Sequence, residues 1–336
     1  MSPERVGVDR AVRDGQGWGM GAAEVRSGVE LTNLDQSLFD GAQATKRDLL
    51  DYLEAVAEPM IRTLTGRPLS VVRVRPGQEP FVQKNLPKYT PDFVRRVNLW
   101  ADTSRREISY ALCEDLPTLL WFGNQRAVEY HTTLLLADHD QGPTHLVLDI
   151  DPPPEADFGL AVRAAHLIRA ALNADGLDGA VKTSGSKGVH IIVPLVPGVP
   201  IEDAAAATRA VAARAERLDP ALATTAFLLE DRHGKVFLDS TRAGGATVVT
   251  AYSPRVRPGT TVSFPVAWAD LDDVVPADFT VRSAPALVAG DDPWAASLPA
   301  PQTLPDDLVA EGHTIPVARV QAMHEGKRRA KARRGE

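Results

Sequence analysis

The sequence predicts an α+β fold of mixed β-sheets flanked by helices, and three observations carry that expectation. Apolar residues alternate in some segments and recur at helical spacing in others, so strands and helices are both present. They do not follow the steady strand–helix–strand rhythm of a doubly wound sheet. The second half instead groups short strands with two long amphipathic segments, as a compact sheet backed by helices would. With 336 residues, 44% of them hydrophobic, the chain can build one large domain or two modest ones.

In chain order, residues 1–30 are Gly-rich and aperiodic and read as a flexible arm, with order beginning at "LTNLDQSLFD". "ATKRDLLDYLEAVAEPMIRTLTG" reads as a helix capped by Thr45, kinked or divided at Pro59 and closed by Gly66. "PLSVVRVRP" is expected as a strand, "TPDFVRRV" as a short helix and "REISYALC" as a strand. "LPTLLWFGNQRAVEYH" is expected as a helix entered through Pro117. A strand at "HLVLDIDPPP" precedes the helix "GLAVRAAHLIRAALNADG", and "AVKTSGSKGVHIIVPLV" gives two strands around a polar glycine turn. "IEDAAAATRAVAARAERLDP" is a further helix, and "GKVFLDST" and "ATVVTAYSP" are strands. Beyond about Asp270 the chain turns acidic and Ala/Pro-rich, an irregular flank leading to the basic tail "GKRRAKARRGE".

Composition narrows the function. No stretch reaches the roughly 20 apolar residues of a membrane helix, and the N-terminus lacks a secretory core, so the expectation is a soluble cytoplasmic protein. The single cysteine, Cys113, excludes an internal disulfide framework and reads as a small buried residue. The net charge of −7 argues against a uniformly basic nucleic-acid coat, but it hides a local excess. From Arg62 to Arg106 ten basic residues face three acids, Glu79, Asp92 and Asp102. That segment can face a polyanion, although charge runs more often form solvated surface.

The strand "HLVLDIDPPP" poses the central question. Leu146, Leu148 and Ile150 point to one face, and Val147, Asp149 and Asp151 to the other. The two aspartates then lie about 7 Å apart at their Cα atoms, and their repulsion is costly unless cations fill the gap. Divalent ions prefer such oxygen ligands, and paired ions serve in-line phosphoryl transfer. Ordinary surface aspartates before a proline loop would look the same. A third acid, Asp239, ends the apolar strand "KVFLD". In "TSGSKGVH", Gly185 and Gly188 permit a tight turn, Ser184 and Ser186 offer hydroxyls, and Lys187 and His190 can carry charge toward phosphates. A plain hairpin would use Gly and Ser too, but would not need the flanking Lys187 and His190.

Taken together, "LVLDIDPPP", "VKTSGSKGVHIIVPL" and "KVFLDS", in that order and spacing, resemble the archaeo-eukaryotic primase superfamily, specifically the polymerase domain of bacterial ligase D, used in nonhomologous end joining. "LTNLDQSLFD", "GRPLSVVRVRPGQEPFVQKN", "AYSPRVRPG" and "DFTVRSAPALVAGDDPWA" are similar to that domain as well, so the likeness runs from about Leu31 to Ala296. The resemblance implies a primase-polymerase core at 31–300, with a DNA-binding half at 31–140, a catalytic half at 141–300, and a flank and basic tail at 301–336. By it, Asp149, Asp151 and Asp239 hold two divalent ions, Mn²⁺ or Mg²⁺, with manganese at least competitive. His131, Ser184, Lys187, His190, Arg232, Arg242, Arg255 and Arg257 surround the incoming nucleoside triphosphate. His131 also reads as a satisfied histidine at a helix end. Phe81 matches a residue that stacks on the template, with Lys84 beside it. Lys46 matches a lysine that binds a downstream 5′-phosphate, and Gln36 stands where another Lys or an Asn is common.

Three departures qualify this. Val82 replaces the second of two stacking aromatics, Gln36 brings no charge to the phosphate site, and "DSTRAGG" replaces an aromatic and a Ser-Gln-Asn sequence after the third acid. No K-x-D-G ligase motif or His-rich nuclease module occurs, which reads as a stand-alone polymerase. The expected activity is ribonucleotide addition, with deoxyribonucleotides less readily used, to a primer across a gap or break. Expected partners are DNA with a 5′-phosphate and a Ku-like protein or separate ligase, with the chain itself a nucleoid-associated monomer. A primase needing no primer, a metal-dependent nuclease and a non-catalytic DNA end-bridging module remain open as competing readings.

Overall fold

The alternation of Leu146, Leu148 and Ile150 against Val147, Asp149 and Asp151 sets the architecture, because each apolar row buries in a different core. The computed structural model describes residues 24–101, 105–138, 142–242 and 246–317. In chain order the first half holds β1 (Glu24–Arg26), β2 (Val29–Leu31), α1 (Lys46–Ala55), α2 (Ala57–Leu64), β3 (Leu69–Arg75), β4 (Gln78–Gln83), β5 (Arg95–Ala101), β6 (Arg106–Leu112), α3 (Leu116–Asn124) and β7 (Ala127–Thr132). The second half holds β8 (His145–Asp151), α4 (Phe158–Ala174), β9 (Ala180–Thr183), β10 (Val189–Pro194), α5 (Ile201–Leu218), β11 (Ala223–Thr224), β12 (Val236–Asp239), β13 (Val248–Val249) and β14 (Pro265–Val266). Short helices α6 (Ala284–Val288) and α7 (Pro293–Ser297) lead to α8 (Asp306–Thr314).

The second-half strands form a sheet ordered β11-β12-β8-β10-β9-β14, antiparallel except where β11 meets β12. Leu146, Leu148, Ile150, Val189, Ile191 and Leu238 pack from one face onto Ala161, Ile168, Ala207 and Val211 of α4 and α5. From the opposite face Val147, Ala180 and Ile192 join the core of the first half, with Tyr130, Tyr252 and Phe264. That core also takes the apolar stripe of α1 and the sheet ordered β13-β7-β3-β6-β5, with β4 paired to β3. Buried on both faces, β8 presents its acids only at its C-terminal end.

Several local expectations are met. Thr45 and Asp48 form a reciprocal capping box at α1, and Gly66 and Gly176 take positive φ after their helices. Cys113 is buried, and burial pushes its thiol well above the usual range. No helix among the described residues is long and apolar enough to cross a membrane.

Other expectations are corrected. The break in the first long helix falls at Val56, while Pro59 occupies the third position of α2, where its missing N–H costs nothing. "TPDFVRRV" is not a helix: a turn follows Pro91, and Arg95–Ala101 pairs along its whole length with β6. Val97 and Leu99 sit on its sheltered face, while Arg96, Asn98 and Trp100 are exposed, a period of 2 that the charged pair Arg95–Arg96 disguises. The helix at Leu116 stops at Asn124, Arg126 turns the chain at φ +61, and the expected helical end "AVEYHT" is strand β7. The expected arm ends in the β1–β2 hairpin, and residues 1–23 lie outside the described residues. "ATVVTAYSP" contributes only the two-residue β13. The flank is not wholly irregular: α8 buries Leu308 and lies against α5, where Arg209 donates to the Gly312 carbonyl. The basic tail from residue 318 lies outside the described residues.

Candidate active site

One row across the sheet assembles the site. β10 pairs with β8 so that His190 lies opposite Asp149, β12 places Asp239 opposite Asp149 from the other side, and β9 places Lys182 opposite His190. Residues opposite one another share a face, so Lys182, His190, Asp149 and Asp239 form a cross-strand rung. Asp151, two residues along β8, completes a cluster whose carboxylate oxygens lie within 4.8 Å of one another. The three acids, predicted from two separate strands, do converge.

The rung is connected atom by atom. Lys182 Nζ donates to Ser263 Oγ at 2.6 Å and lies 2.9 Å from His190 Nδ1. An amine donating to Nδ1 leaves the ring proton on Nε2, which lies 3.1 Å from Asp149 Oδ1. Arg242 reaches the other oxygen of Asp149 at 2.7 Å through Nη2, and the same nitrogen lies 3.2 Å from Asp239 Oδ2. Asp239 Oδ1 accepts from the Thr241 backbone N–H at 2.8 Å. Asp151 has no hydrogen-bond or ion-pair partner among the described residues.

Burial sets the charge states. It raises the proton affinity of Asp149, but the His190 ring and the Arg242 guanidinium outweigh it and hold that carboxyl well below the usual range. The Asp151 carboxylate feels Arg242 only through its charge, and burial and then the Asp149 charge outweigh that and push it up to about 6. Burial holds Lys182 well below its ordinary value, and burial, then Lys182, lowers His190 to about 4. His190 is therefore a neutral ring near pH 7 with both nitrogens engaged. The expectation that it carries charge toward phosphates has no test in the contacts it makes here, which are to Lys182 and Asp149.

The "TSGSKGVH" turn sits directly on this rung. Gly185 has φ +68 and packs against Val262, Ser263 and Arg255, so a side chain there is excluded twice over. A Cβ on Gly188 would lie 2.4 Å from the Ile150 carbonyl oxygen, between the two acids of β8. Ser184 Oγ accepts from the Ser186 and Gly188 N–H groups at 3.2 and 3.1 Å, so Ser184 shapes the turn and spends two of its backbone donors. Lys187 is exposed at its tip.

An open cavity of about 470 Å³ lies in front of the acids, lined among others by His131, Asp149, Asp151, Lys187, Arg255 and Arg257. Ser184, His190 and Arg242 also line it. Arg232 does not. Its guanidinium lies over the Phe237 ring at 3.7 Å and donates to the Ala226 and Phe227 carbonyls; burial lowers its proton affinity, and the Asp151 and Asp239 charges oppose that only in part. Glu129, unpredicted from sequence, organises the opposite wall. Its carboxylate meets His131 Nε2 at 2.9 Å, the Val256 N–H at 2.9 Å and Arg255 Nε at 3.1 Å. Burial opposes its charge, but His131 and Arg255 prevail and lower Glu129 to about 2. On β7 the pair Glu129 and His131 share a face at i and i+2, so a strand reading of "AVEYH" would have found both.

The four residues expected to face DNA do not line this cavity; they form two pairs, Gln36 with Lys46, whose backbone N–H donates to the Gln36 carbonyl at 2.9 Å, and Phe81 with Lys84 on β4 and its exit. Lys46, the first residue of α1, is buried and donates to the Thr32 carbonyl; burial and the nearby Arg126 lower it to about 8. Gln36 Oε1 accepts from Arg126 at 3.3 Å. Phe81 on β4 lies beneath the Arg73 and Arg75 guanidiniums at 5.6 and 4.8 Å, and Lys84 is exposed.

The donor set of the rung fits hard cations. Three carboxylates offer oxygen only, with no thiolate, and the nearest imidazole is turned to a second-layer role behind Asp149.

Comparison with known proteins agrees with this geometry. The family model described as "LigD, primase-polymerase domain" matches residues 45–294. The chain is 34% identical over 258 residues to the bifunctional non-homologous end joining protein LigD of Bacillus subtilis, covering 75% of this chain and 41% of that protein. It is 30% identical over 277 residues to the multifunctional LigD protein of Pseudomonas aeruginosa, covering 80% and 33%. The chain thus spans less than half the length of these curated relatives. The solved polymerase domain of Mycobacterium tuberculosis ligase D, determined in complex with DNA, superposes with a TM-score of 0.72 at 31% identity, over 79% of this chain and 95% of that one. On its matching sequence, its α+β architecture and the rung that joins its acids, this chain belongs to the LigD primase-polymerase domain family.

Proposed function

We propose that this protein is a template-directed nucleotidyltransferase that extends a primer 3′-hydroxyl at DNA gaps or breaks in nonhomologous end joining. One observation carries the reading: three carboxylates lie within 4.8 Å of one another, and two of them, Asp149 and Asp151, line a cavity whose other wall is basic. Phosphoryl transfer needs anionic metal ligands on one side of the reacting phosphorus and cationic groups around the triphosphate, and both are present. Two divalent ions held by Asp149, Asp151 and Asp239, Mn²⁺ or Mg²⁺, would supply Lewis acidity to the attacking hydroxyl and neutralise the departing pyrophosphate.

The chain's own residues do the rest. Lys187, Arg255 and Arg257 attract and orient the triphosphate, and the turn shaped by Ser184 presents Lys187 from a fixed backbone. His131, anchored by Glu129 and lining the cavity, takes the sugar of the incoming nucleotide in this reading. Arg232 adds positive potential from behind the acids. Lys182 and His190 keep Asp149 ionised and aimed. Lys46, Gln36, Phe81 and Lys84 bind the template and the downstream 5′-phosphate. Ribonucleotide preference, and a Ku-like end binder and a ligase as partners, complete the proposal.

The test is extension of a labelled primer across a short gap with a 5′-phosphate, with ribo- or deoxyribonucleoside triphosphates and Mn²⁺. The parent is expected to add templated nucleotides, and Asp149→Ala plus Asp151→Ala to lose about 1,000-fold or more of that rate. Equal activity in both proteins sinks the metal role, and DNA binding without extension by the parent moves the reading to an end-bridging module.

A further inference from the structure

We infer that Arg242 is a tethered counter-cation that holds the acid rung together while no divalent ion is bound and withdraws from it as metal and triphosphate load. The inference rests on the proposed metal role of the three acids. Arg242 Nη2 lies 2.7 Å from Asp149 Oδ2 and 3.2 Å from Asp239 Oδ2, joining the acids of β8 and β12 through a single nitrogen. Those two oxygens are also ligand candidates for a divalent ion; Arg242 Nε and Nη2 both donate to Asp149 Oδ2, at 3.1 and 2.7 Å, so an ion bound there must take a lone pair from the guanidinium and face its positive charge. Arg242 comes from the segment just after Asp239, so it is covalently next to the site that it neutralises.

The surroundings give the guanidinium somewhere to go. Its side chain is 30% exposed, whereas those of Asp149 and Asp239 are 9% and 8% exposed, so it approaches from the cavity side of the acids. It lines the same cavity as Lys187, Arg255 and Arg257. A triphosphate entering there offers a second set of anionic oxygens, to which an arginine can transfer bidentately. Metal binding alone removes Arg242 from its partners and is opposed. Metal and triphosphate together give both cations an anion, and are mutually favoured.

The experiment measures Mn²⁺ binding by the electron paramagnetic resonance of free Mn²⁺, with and without a non-hydrolysable nucleoside triphosphate analogue, on the parent, Arg242→Gln and Arg242→Lys. Removing one close positive charge is expected to tighten Mn²⁺ binding without nucleotide by about ten-fold, the scale on which such a charge shifts a carboxylate's proton affinity. Arg242→Lys, which keeps the charge, should stay within about three-fold of the parent. The analogue should tighten Mn²⁺ binding more in the parent than in Arg242→Gln. Thermal melting with and without Mn²⁺ checks that each variant folds. Equal Mn²⁺ affinity in parent and Arg242→Gln overturns the inference and leaves the metal site standing. Mn²⁺ binding by neither protein overturns both.

Discussion

The acid rung and the DNA-facing set differ in how their geometry is fixed. In the rung, Lys182, His190, Asp149 and Asp239 occupy one register line of four adjacent strands, and every neighbour is in hydrogen-bond or ion-pair contact with the next through a side chain or Arg242. In the set proposed to face DNA, Gln36 and Lys46 are joined at the backbone and lie beside Arg126, Phe81 and Lys84 sit on β4 and its exit, and the side-chain contacts of these four residues do not join them into one row. A site built on sheet register inherits the rigidity of the sheet, and removing one member disturbs the others. A site built on side-chain reach can be altered piece by piece. Sheltering divides the two sets less cleanly: the rung is buried and so is Lys46, while Gln36 and Lys84 are exposed.

That contrast can be broken most sharply at Lys182, which neither lines the cavity in front of the acids nor contacts an acid directly. Lys182→Met keeps the volume and removes both donors, freeing the His190 tautomer. Loss of about 10- to 100-fold in Mn²⁺ affinity or in kcat is expected, as for other partners that orient metal ligands. Unchanged Mn²⁺ affinity and kcat in a folded variant would show that the rung acts as separate residues.

Asp151 tests the same rigidity through stability. Its carboxyl is raised to about 6 in the fold, chiefly by burial and then by Asp149, against about 3.9 in an unfolded chain. The fold binds that proton more tightly, so the metal-free protein carries a penalty that is full above about pH 6 and vanishes below about pH 4. Asp151→Asn should therefore raise the melting temperature of the metal-free protein near pH 7.5, by about 2–4 °C for each kcal/mol relieved, with the gain fading toward pH 4. A gain that is constant across that pH range would point to packing rather than charge. Saturating Mn²⁺ should reverse the order of the two proteins.

The smallest effect is expected on the other side of the comparison. Gln36→Lys adds a charge beside Arg126 at an exposed position. Affinity for gapped DNA bearing a 5′-phosphate should rise by only about 2- to 5-fold at low salt, with no change in Mn²⁺ binding, and the gain should shrink as salt rises. A simultaneous change in Mn²⁺ affinity would mean that the two regions are coupled.

What the sequence made legible follows the same division. The alternation of β8, the glycine turn and the third acid were readable because each depends only on local spacing. That Asp239 meets Asp149 was not, since strand register is set by long-range pairing that no local pattern encodes. Glu129 was hidden because "LPTLLWFGNQRAVEYH" carries no break that a helical pattern forbids; the turn at Arg126 uses a left-handed conformation without a glycine. Lys182 was hidden for another reason. An isolated lysine in "AVKT" reads as a solvated residue, and only pairing to His190 on one side and Pro265 on the other shows that it is enclosed. His190 was found, but its partners Lys182 and Asp149 were not, because sequence gives a ring its neighbours along the chain and not across the sheet.

The position of Gly188 has a consequence for how such a site can diverge. With the Ile150 carbonyl 2.4 Å from where its Cβ would be, the loop that offers Lys187 rests against the strand between Asp149 and Asp151. Anion-holding and cation-holding halves are thereby cut to a common gauge, and neither can be displaced without carrying the other along. New substrate preferences can then arise by exchanging side chains around the rim, where Arg242, Arg257 and His131 sit, far more readily than by moving the backbone beneath them. A residue with no functional group of its own thus sets the dimension to which all the reactive ones are fitted.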